Sequence, residues 1–225
     1  VISACEKGSR WGQSFRLLRA MHDSGPEPDP VSYGAAVSAC RRAGRWQYAL
    51  VLVKALNNRA LELNVVICNG AISACEKQRH WRCAVSVFSR TSQTNMETDV
   101  ISHNGLLSAF EKGAQWQQAL RCLRELRRGA GLRPSLISVN AALSAAEKGG
   151  CWVCTMALLG EARSRAWRPD AVGRNACASA LEKGRQWERA LDLCSSLGRE
   201  GLERDPIACN ALLSACGGCG RWPWA

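Results

Sequence analysis

Five asparagines, Asn69, Asn104, Asn140, Asn175 and Asn210, recur at intervals of 35, 36, 35 and 35 residues. A carboxamide carries both donors and an acceptor, so a row of them can hydrogen-bond the edges of bases laid along it. Asn is also a weak helix former, costing several tenths of a kcal/mol against Ala. Five at one position therefore need a reason. Gly34 stands where the first member of the series belongs. Three further rows keep the same pitch. Val31, Val66, Ile101, Ile137, Val172 and Ile207 lie three residues ahead, all β-branched and apolar. Asn64, Asp99, Ser135, Asp170 and Asp205 follow by 30 or 31 residues. A basic residue follows by eight: Lys7, Arg42, Lys77, Lys112, Lys148 and Lys183 form that row, with Gly218 as its seventh place.

Each row also has a purely structural explanation. The asparagines could form a ladder between stacked units, or cap helices. The row from Asn64 to Asp205 consists of good helix N-caps, and capping alone accounts for it. The β-branched row suits packing at a helix start as well as contact with a partner. The cations could follow a phosphate backbone. They could equally be solvated Glu–Lys pairs, since Glu6, Glu76, Glu111, Glu147 and Glu182 precede five of the six.

The elements that must position these rows are read from a repeat. Trp falls at 11, 46, 81, 116, 152, 187 and 222, with spacings of 35, 35, 35, 36, 35 and 35. The same block precedes each Trp, as in ISACEKG (2–8), ISACEKQ (72–78) and LSAAEKG (143–149). Its Ser and Ala are shared by all seven copies. Complete units run 30–64, 65–99, 100–135, 136–170 and 171–205, with partial units at 1–29 and 206–225. Each unit reads as two helices. The first starts behind Asp29, Asn64, Asp99, Ser135, Asp170 or Asp205, helped by Pro30 and Pro206 in the first turn. It ends at a glycine such as Gly44, Gly113, Gly149 or Gly184. The second starts around the Trp. The common Ala (4, 39, 74, 109, 145, 180, 215) marks the closest helix–helix approach, and the Trp is an apolar plate at the hairpin corner. One hairpin alone leaves its apolar faces in water, so neighbours must stack. The fold expected is an all-α solenoid, a right-handed superhelix, forming a single array over 1–225. The 36-residue unit places its extra residue in the loop 128–131. The chain starts inside a unit and is expected to be part of a longer array.

Composition narrows the partners. Lys and Arg outnumber Asp and Glu by 30 to 19, a net charge of +11 with pI near 9.3. That excess favours a polyanion. No apolar run approaches a membrane span, and no membrane partner is expected. Thirteen cysteines in a helical, basic chain are expected to be reduced thiols. Cys5, Cys40, Cys75 and Cys216 alternate with Phe110, Ala146 and Leu181 at one repeat position, which assigns them to the core. Two CxxC pairs, Cys151–Cys154 and Cys216–Cys219, fall at different repeat positions, so a shared zinc site is not expected. His22, His80 and His103 do not cluster. There is no P-loop, serine elbow, HExxH or nuclease-type carboxylate cluster. Neither enzyme activity nor a cofactor is expected from this segment.

The stretch VVICNGAISACEKQRHWRCAVSVF (65–88) resembles the P-type pentatricopeptide repeat. It has two apolar residues, Asn at the fifth position, an apolar-rich first helix and an Ala-apolar pair opening the second. That pair is Ala49-Leu50, Ala84-Val85, Ala119-Leu120 and Ala190-Leu191 in four copies, and Thr155-Met156 departs from it. The resemblance extends over essentially the whole chain. It implies single-stranded RNA binding, one base per repeat, in plastids or mitochondria. It implies that the fifth residue reads a base together with the last residue of its unit, and that the second residue wedges between bases. In the family, Asn with Asp favours U, and Asn with Ser accepts pyrimidines. The implied target, with the chain's N-terminus toward the RNA 5′ end, is 5′-UYUU-3′ for Asn69/Asp99, Asn104/Ser135, Asn140/Asp170 and Asn175/Asp205. Gly34 with Asn64 would read weakly, and Asn210 has no partner in the sequence. The alternative is a scaffold that holds a peptide in its groove, as tetratricopeptide arrays do.

Overall fold

A computed structural model of the chain describes residues 8, 10–25, 27–58, 63–93, 96, 98–128, 131–164, 170–199 and 206–217. Among them the elements are helices throughout: α1 (Trp11–Ser24), α2 (Pro30–Arg42), α3 (Trp46–Asn58), α4 (Val65–Lys77), α5 (Trp81–Gln93), α6 (Val100–Lys112), α7 (Trp116–Arg128), α8 (Leu136–Lys148), α9 (Trp152–Ser164), α10 (Ala171–Lys183), α11 (Trp187–Arg199) and α12 (Pro206–Gly217). The periodic Trp is the first residue of every second helix. The contacts divide the chain into two compact units, 1–113 and 114–225, so the division falls inside the repeat 100–135. In the first unit α2, α4 and α6 stack one on the next, with α3 and α5 each against the first helices on either side. In the second unit α8, α10 and α12 stack in the same way, with α9 and α11 between them in sequence. Each unit is thus a stack of helical hairpins, an all-α solenoid arrangement.

The N-terminus of each first helix is held as its sequence requires. Asp29, Asn64, Asp99, Ser135 and Asp170 are extended residues whose side chains accept from the N–H three residues on, at 2.8, 2.8, 2.7, 3.3 and 3.1 Å. Each such cap contributes about 1 kcal/mol. The common Ala lies in the core at Ala39, Ala74, Ala109, Ala145, Ala180 and Ala215. Cys40, Cys75, Phe110, Ala146 and Leu181 are all buried at their shared position, as their interchange requires. Desolvation pushes the Cys40 thiol up to about 11 and the Cys75 thiol up to about 12. Cys5, Cys219 and Trp222 lie outside the described residues.

The first helices end at the expected glycines, yet in three copies the glycine is not the left-handed residue of the turn. Gly113, Gly149 and Gly184 instead have φ of −88°, −83° and −79°. The left-handed residue is the next one: Gly44, Arg79, Ala114, Gly150 or Arg185, with φ of 67°, 61°, 52°, 72° and 50°. The glycine is needed for space. A Cβ on Gly113 would lie 2.6 Å from Cδ1 of Trp81, one on Gly184 2.5 Å from Cδ1 of Trp152, and one on Gly149 would strike Trp116. The Trp of one hairpin therefore lies on the turn of the next. Gln78 replaces the glycine after α4, and there Trp46 meets the His80 ring instead, with centroids 4.1 Å apart. One expectation, that of reduced thiols throughout, is corrected. Cys151 and Cys154 form a disulfide, because the residue before α9 and its third helical residue bring the Cα atoms to 5.4 Å. Cys40, Cys68, Cys75, Cys83, Cys122, Cys177 and Cys209 are free.

Two glycine substitutions separate space from flexibility. Gly149→Ala must displace Trp116 and should lower stability by about 1–3 kcal/mol. Gly160→Ala in α9, with nothing within 4 Å of its Cβ position, should raise it by about 0.5–1 kcal/mol. Denaturant unfolding reads both, and a Gly149→Ala variant as stable as the parent would reject the packing explanation.

Candidate nucleic-acid interface

The exposed face of a first helix follows from its period. At about 100° per residue, the second, ninth and thirteenth positions lie within about 40° of one another. The fifth lies about 60° to one side. The second position is solvent-facing wherever its side chain is described. Val31, Val66, Ile101, Ile137 and Val172 are 72%, 75%, 66%, 67% and 57% exposed. Packing at a helix start therefore does not account for this row. The side chain of Ile207 lies outside the described set.

The fifth-position asparagines Asn69, Asn104, Asn140 and Asn175 are half-buried, and Asn210 is exposed. Asn69 Nδ2 donates to Asp99 Oδ1 at 3.3 Å, and its Oδ1 accepts from Ser102 Oγ at 2.7 Å. The same Ser102 hydroxyl lies 2.7 Å from Asp99 Oδ1. Asn140 Nδ2 donates to Asp170 Oδ1 at 2.9 Å. Turning that amide over would set its carbonyl oxygen against a carboxylate, so Asp170 selects which end of the amide faces it. Asn140 Oδ1 is buried without a hydrogen-bond partner among the described residues. Asp99 and Asp170 thus cap a helix and orient an amide at once, so the two explanations of that row coexist. Burial alone would raise the Asp99 carboxyl. The hydrogen bonds from the Ser102 hydroxyl, the Ser102 N–H and Asn69 outweigh it and hold the group below the ordinary carboxylate value. At Gly34 the place of the amide is bordered by Ile67, whose Cγ1 would lie 3.5 Å from an added Cβ. Ser135 takes part in a capping box with Ser138. Asp205 lies outside the described residues.

The basic row is more committed than its spacing suggests. Lys112 Nζ donates to Glu76 at 2.6 Å, and Lys183 Nζ to Glu147 at 2.5 Å. In both, the partner is the glutamate of the preceding hairpin, not the sequence neighbour. The same oxygens accept from Ser108 and Ser179 at 2.9 Å. In these two copies the common serine is therefore half of an inter-hairpin clasp, a role not evident from the sequence. Arg42, Lys77 and Lys148 are exposed, and Lys7 lies outside the described residues. No cluster of three or more His, Cys, Asp or Glu able to hold a metal occurs among the described residues. None of the described helices is long and apolar enough to cross a membrane.

Comparison with known proteins agrees with this fold. Residues 51–111 match the family model of the pentatricopeptide repeat domain. No curated protein matches the chain by sequence. The pentatricopeptide repeat protein PPR10 from maize is similar in structure, with a TM-score of 0.72 and 22% identity, over 98% of this chain and 32% of that one. PPR10 in complex with an 18-nt psaJ RNA element gives 0.62 and 16%, over 98% of this chain and 37% of that one. The pentatricopeptide repeat domain of Arabidopsis thaliana protein-only RNase P 1, in complex with tRNA, gives 0.67 and 11%, over 80% and 94%. This chain thus spans about a third of the length of the maize protein. Twelve described helices in capped hairpins, a sequence match over 51–111 and these structural likenesses together give the chain the pentatricopeptide repeat fold.

Proposed function

We propose that this chain binds single-stranded RNA as one continuous array, with one base to each repeat, in the processing, stabilisation or editing of organellar transcripts. The observation that carries the reading is the exposed β-branched row. Five apolar side chains stand in water at one repeat position, each one turn ahead of the fifth position. A flat apolar face of a base fits between such side chains, and the amide beside it can meet the base edge. Solved relatives in complex with RNA support the same partner.

The base assignment follows from the amides. With one Nδ2 hydrogen held by an aspartate, the other can donate to a base carbonyl such as O4 of U. Asn69/Asp99, Asn140/Asp170 and Asn175/Asp205 then select U, and Asn104/Ser135 accepts C or U. The core target is 5′-UYUU-3′, with a weakly read base before it at Gly34/Asn64. Replacing Asn140 by Ser, with Asp170 kept, should shift that one base from U toward G in a binding selection from random RNA. A uniform loss over all sequences would make Asn140 a structural ladder residue and reject the assignment.

The β-branched row has its own test. Val66→Ala should weaken RNA binding about three- to tenfold and leave the melting temperature within error, because the side chain is 75% exposed. Unchanged affinity would remove the wedge from the proposal. A chain that ignored RNA and captured an apolar peptide would make it a protein-binding scaffold.

The cations divide by their neighbours. Affinity should fall steeply with salt. Replacing Lys77 should flatten the log–log slope by about 0.7 without altering base preference. Replacing Lys112 should flatten it less, since Glu76 already offsets its charge. Equal effects from the two would show that the clasp leaves Lys112 available to phosphate.

A further inference from the structure

The two amides whose aspartate is described differ in one respect. Asn69 has a partner at both ends: Nδ2 meets Asp99 at 3.3 Å, and Oδ1 meets, at 2.7 Å, the Ser102 hydroxyl, whose one proton it shares with Asp99 Oδ1 at the same distance. Asn140 is held at one end only, by Asp170 at 2.9 Å, and its Oδ1 is buried with no partner. The residue responsible is the third of the following repeat. It is Ser102 after Asn69 and Gly173 after Asn140. Ser102 is 2% exposed, so its hydroxyl faces protein, not solvent. Where the fifth position has no side chain, at Gly34, the corresponding residue is Ile67, which offers no hydroxyl and lies against the gap. A hydroxyl thus meets the amide at Asn69 and is missing at this place beside both Asn140 and Gly34.

We propose that the Ser102 hydroxyl is a positioning residue for base recognition by Asn69, and that its absence at Gly173 leaves Asn140 a looser reader. The inference rests on the RNA-binding reading above. Its chemistry is that of a clamped amide. A carboxamide held by a donor at its oxygen and an acceptor at its nitrogen cannot rotate about its last bond. Its remaining N–H then points in one direction, and a base lacking an acceptor there loses a hydrogen bond with no compensation. An amide held only at nitrogen retains torsional freedom and can adjust to a poorer partner. Discrimination at the base facing Asn69 should therefore exceed that facing Asn140, although both are Asn/Asp pairs.

The test uses the whole chain and 5′-UCUU-3′ flanked by adenosines, with each of the first and third bases of that core replaced in turn. The ratio of affinities, U against C or A, is measured at each site. In the parent, the first-base ratio should exceed the third-base ratio about three- to tenfold, the effect of one hydrogen bond. Ser102→Ala should bring the first-base ratio down to the third-base value and leave the third unchanged. Gly173→Ser should raise the third-base ratio and leave the first unchanged. A merely structural serine would change overall affinity or melting temperature and leave both ratios alone, and that result overturns the proposal. If Ser102→Ala fails to fold, the parent's own two ratios, which need no substitution, and Gly173→Ser, made at a buried place, decide it. Asn69→Ala separates the two levels. If it leaves the first-base ratio untouched, the base-reading assignment fails. If it abolishes that ratio while neither hydroxyl variant moves a ratio, only the positioning role fails.

Discussion

Adjacent first helices in the unit 1–113 approach so closely that one of the two residues meeting there is glycine. A Cβ on Gly70 would stand 3.1 Å from Val37 Cγ1, and one on Gly105 3.1 Å from Ile72 Cγ2. The common Ala, four residues on, is buried in every described copy. This spacing sets what else can touch. It brings the cap of one first helix within reach of the amide on the helix before it, so one aspartate can serve both. It also brings a lysine to the glutamate of the preceding hairpin. A bulkier contact would part all these pairs together, which is why small residues recur where the polar pairs recur.

The repeat, the helix pairs, the caps and the core were legible in the sequence because each depends on local chemistry. Asp99 caps a helix by virtue of its own type and its neighbours three residues on. The buried place of Cys40 and Cys75 could be read from their exchange with Phe110 and Ala146. What escaped was chemistry between repeats. Glu76 looked like the partner of Lys77, its sequence neighbour, and is bonded instead to Lys112. Ser108 was visible as an unchanging residue, but its purpose depends on a glutamate 32 positions earlier. The glycine at 149 read as a helix terminator, because its real constraint, the Trp116 ring, comes from the preceding unit. The disulfide between Cys151 and Cys154 escaped for a different reason. Composition argued for reduced thiols throughout, and the proximity of this pair depends on the local geometry at the start of α9.

The charge follows the same logic. A net +11 suggests a surface crowded with available cations. Part of that charge instead binds one hairpin to the next through Lys112 and Lys183. These ion pairs are partly exposed, where the Coulombic gain is small. Their worth lies more in fixing register, since each glutamate also takes a serine hydroxyl from the same neighbouring helix. Polar contacts thus fix the alignment of hairpins whose cohesion comes from buried Ala, Leu, Ile and Cys.

The sharing of Asp99 between two repeats has a consequence for how such an array can be cut and rejoined. The repeat drawn from sequence ends at Asp99, but the hydrogen-bonded set around Asn69 runs on to Ser102, inside α6. A cassette excised at the sequence boundary would carry Asn69 and its aspartate and leave the hydroxyl behind. It would hand each graft the third residue of an unrelated neighbour. The natural seam lies a few residues later, within the first turn of the next helix, so the exchangeable piece is offset from the repeat that the eye picks out.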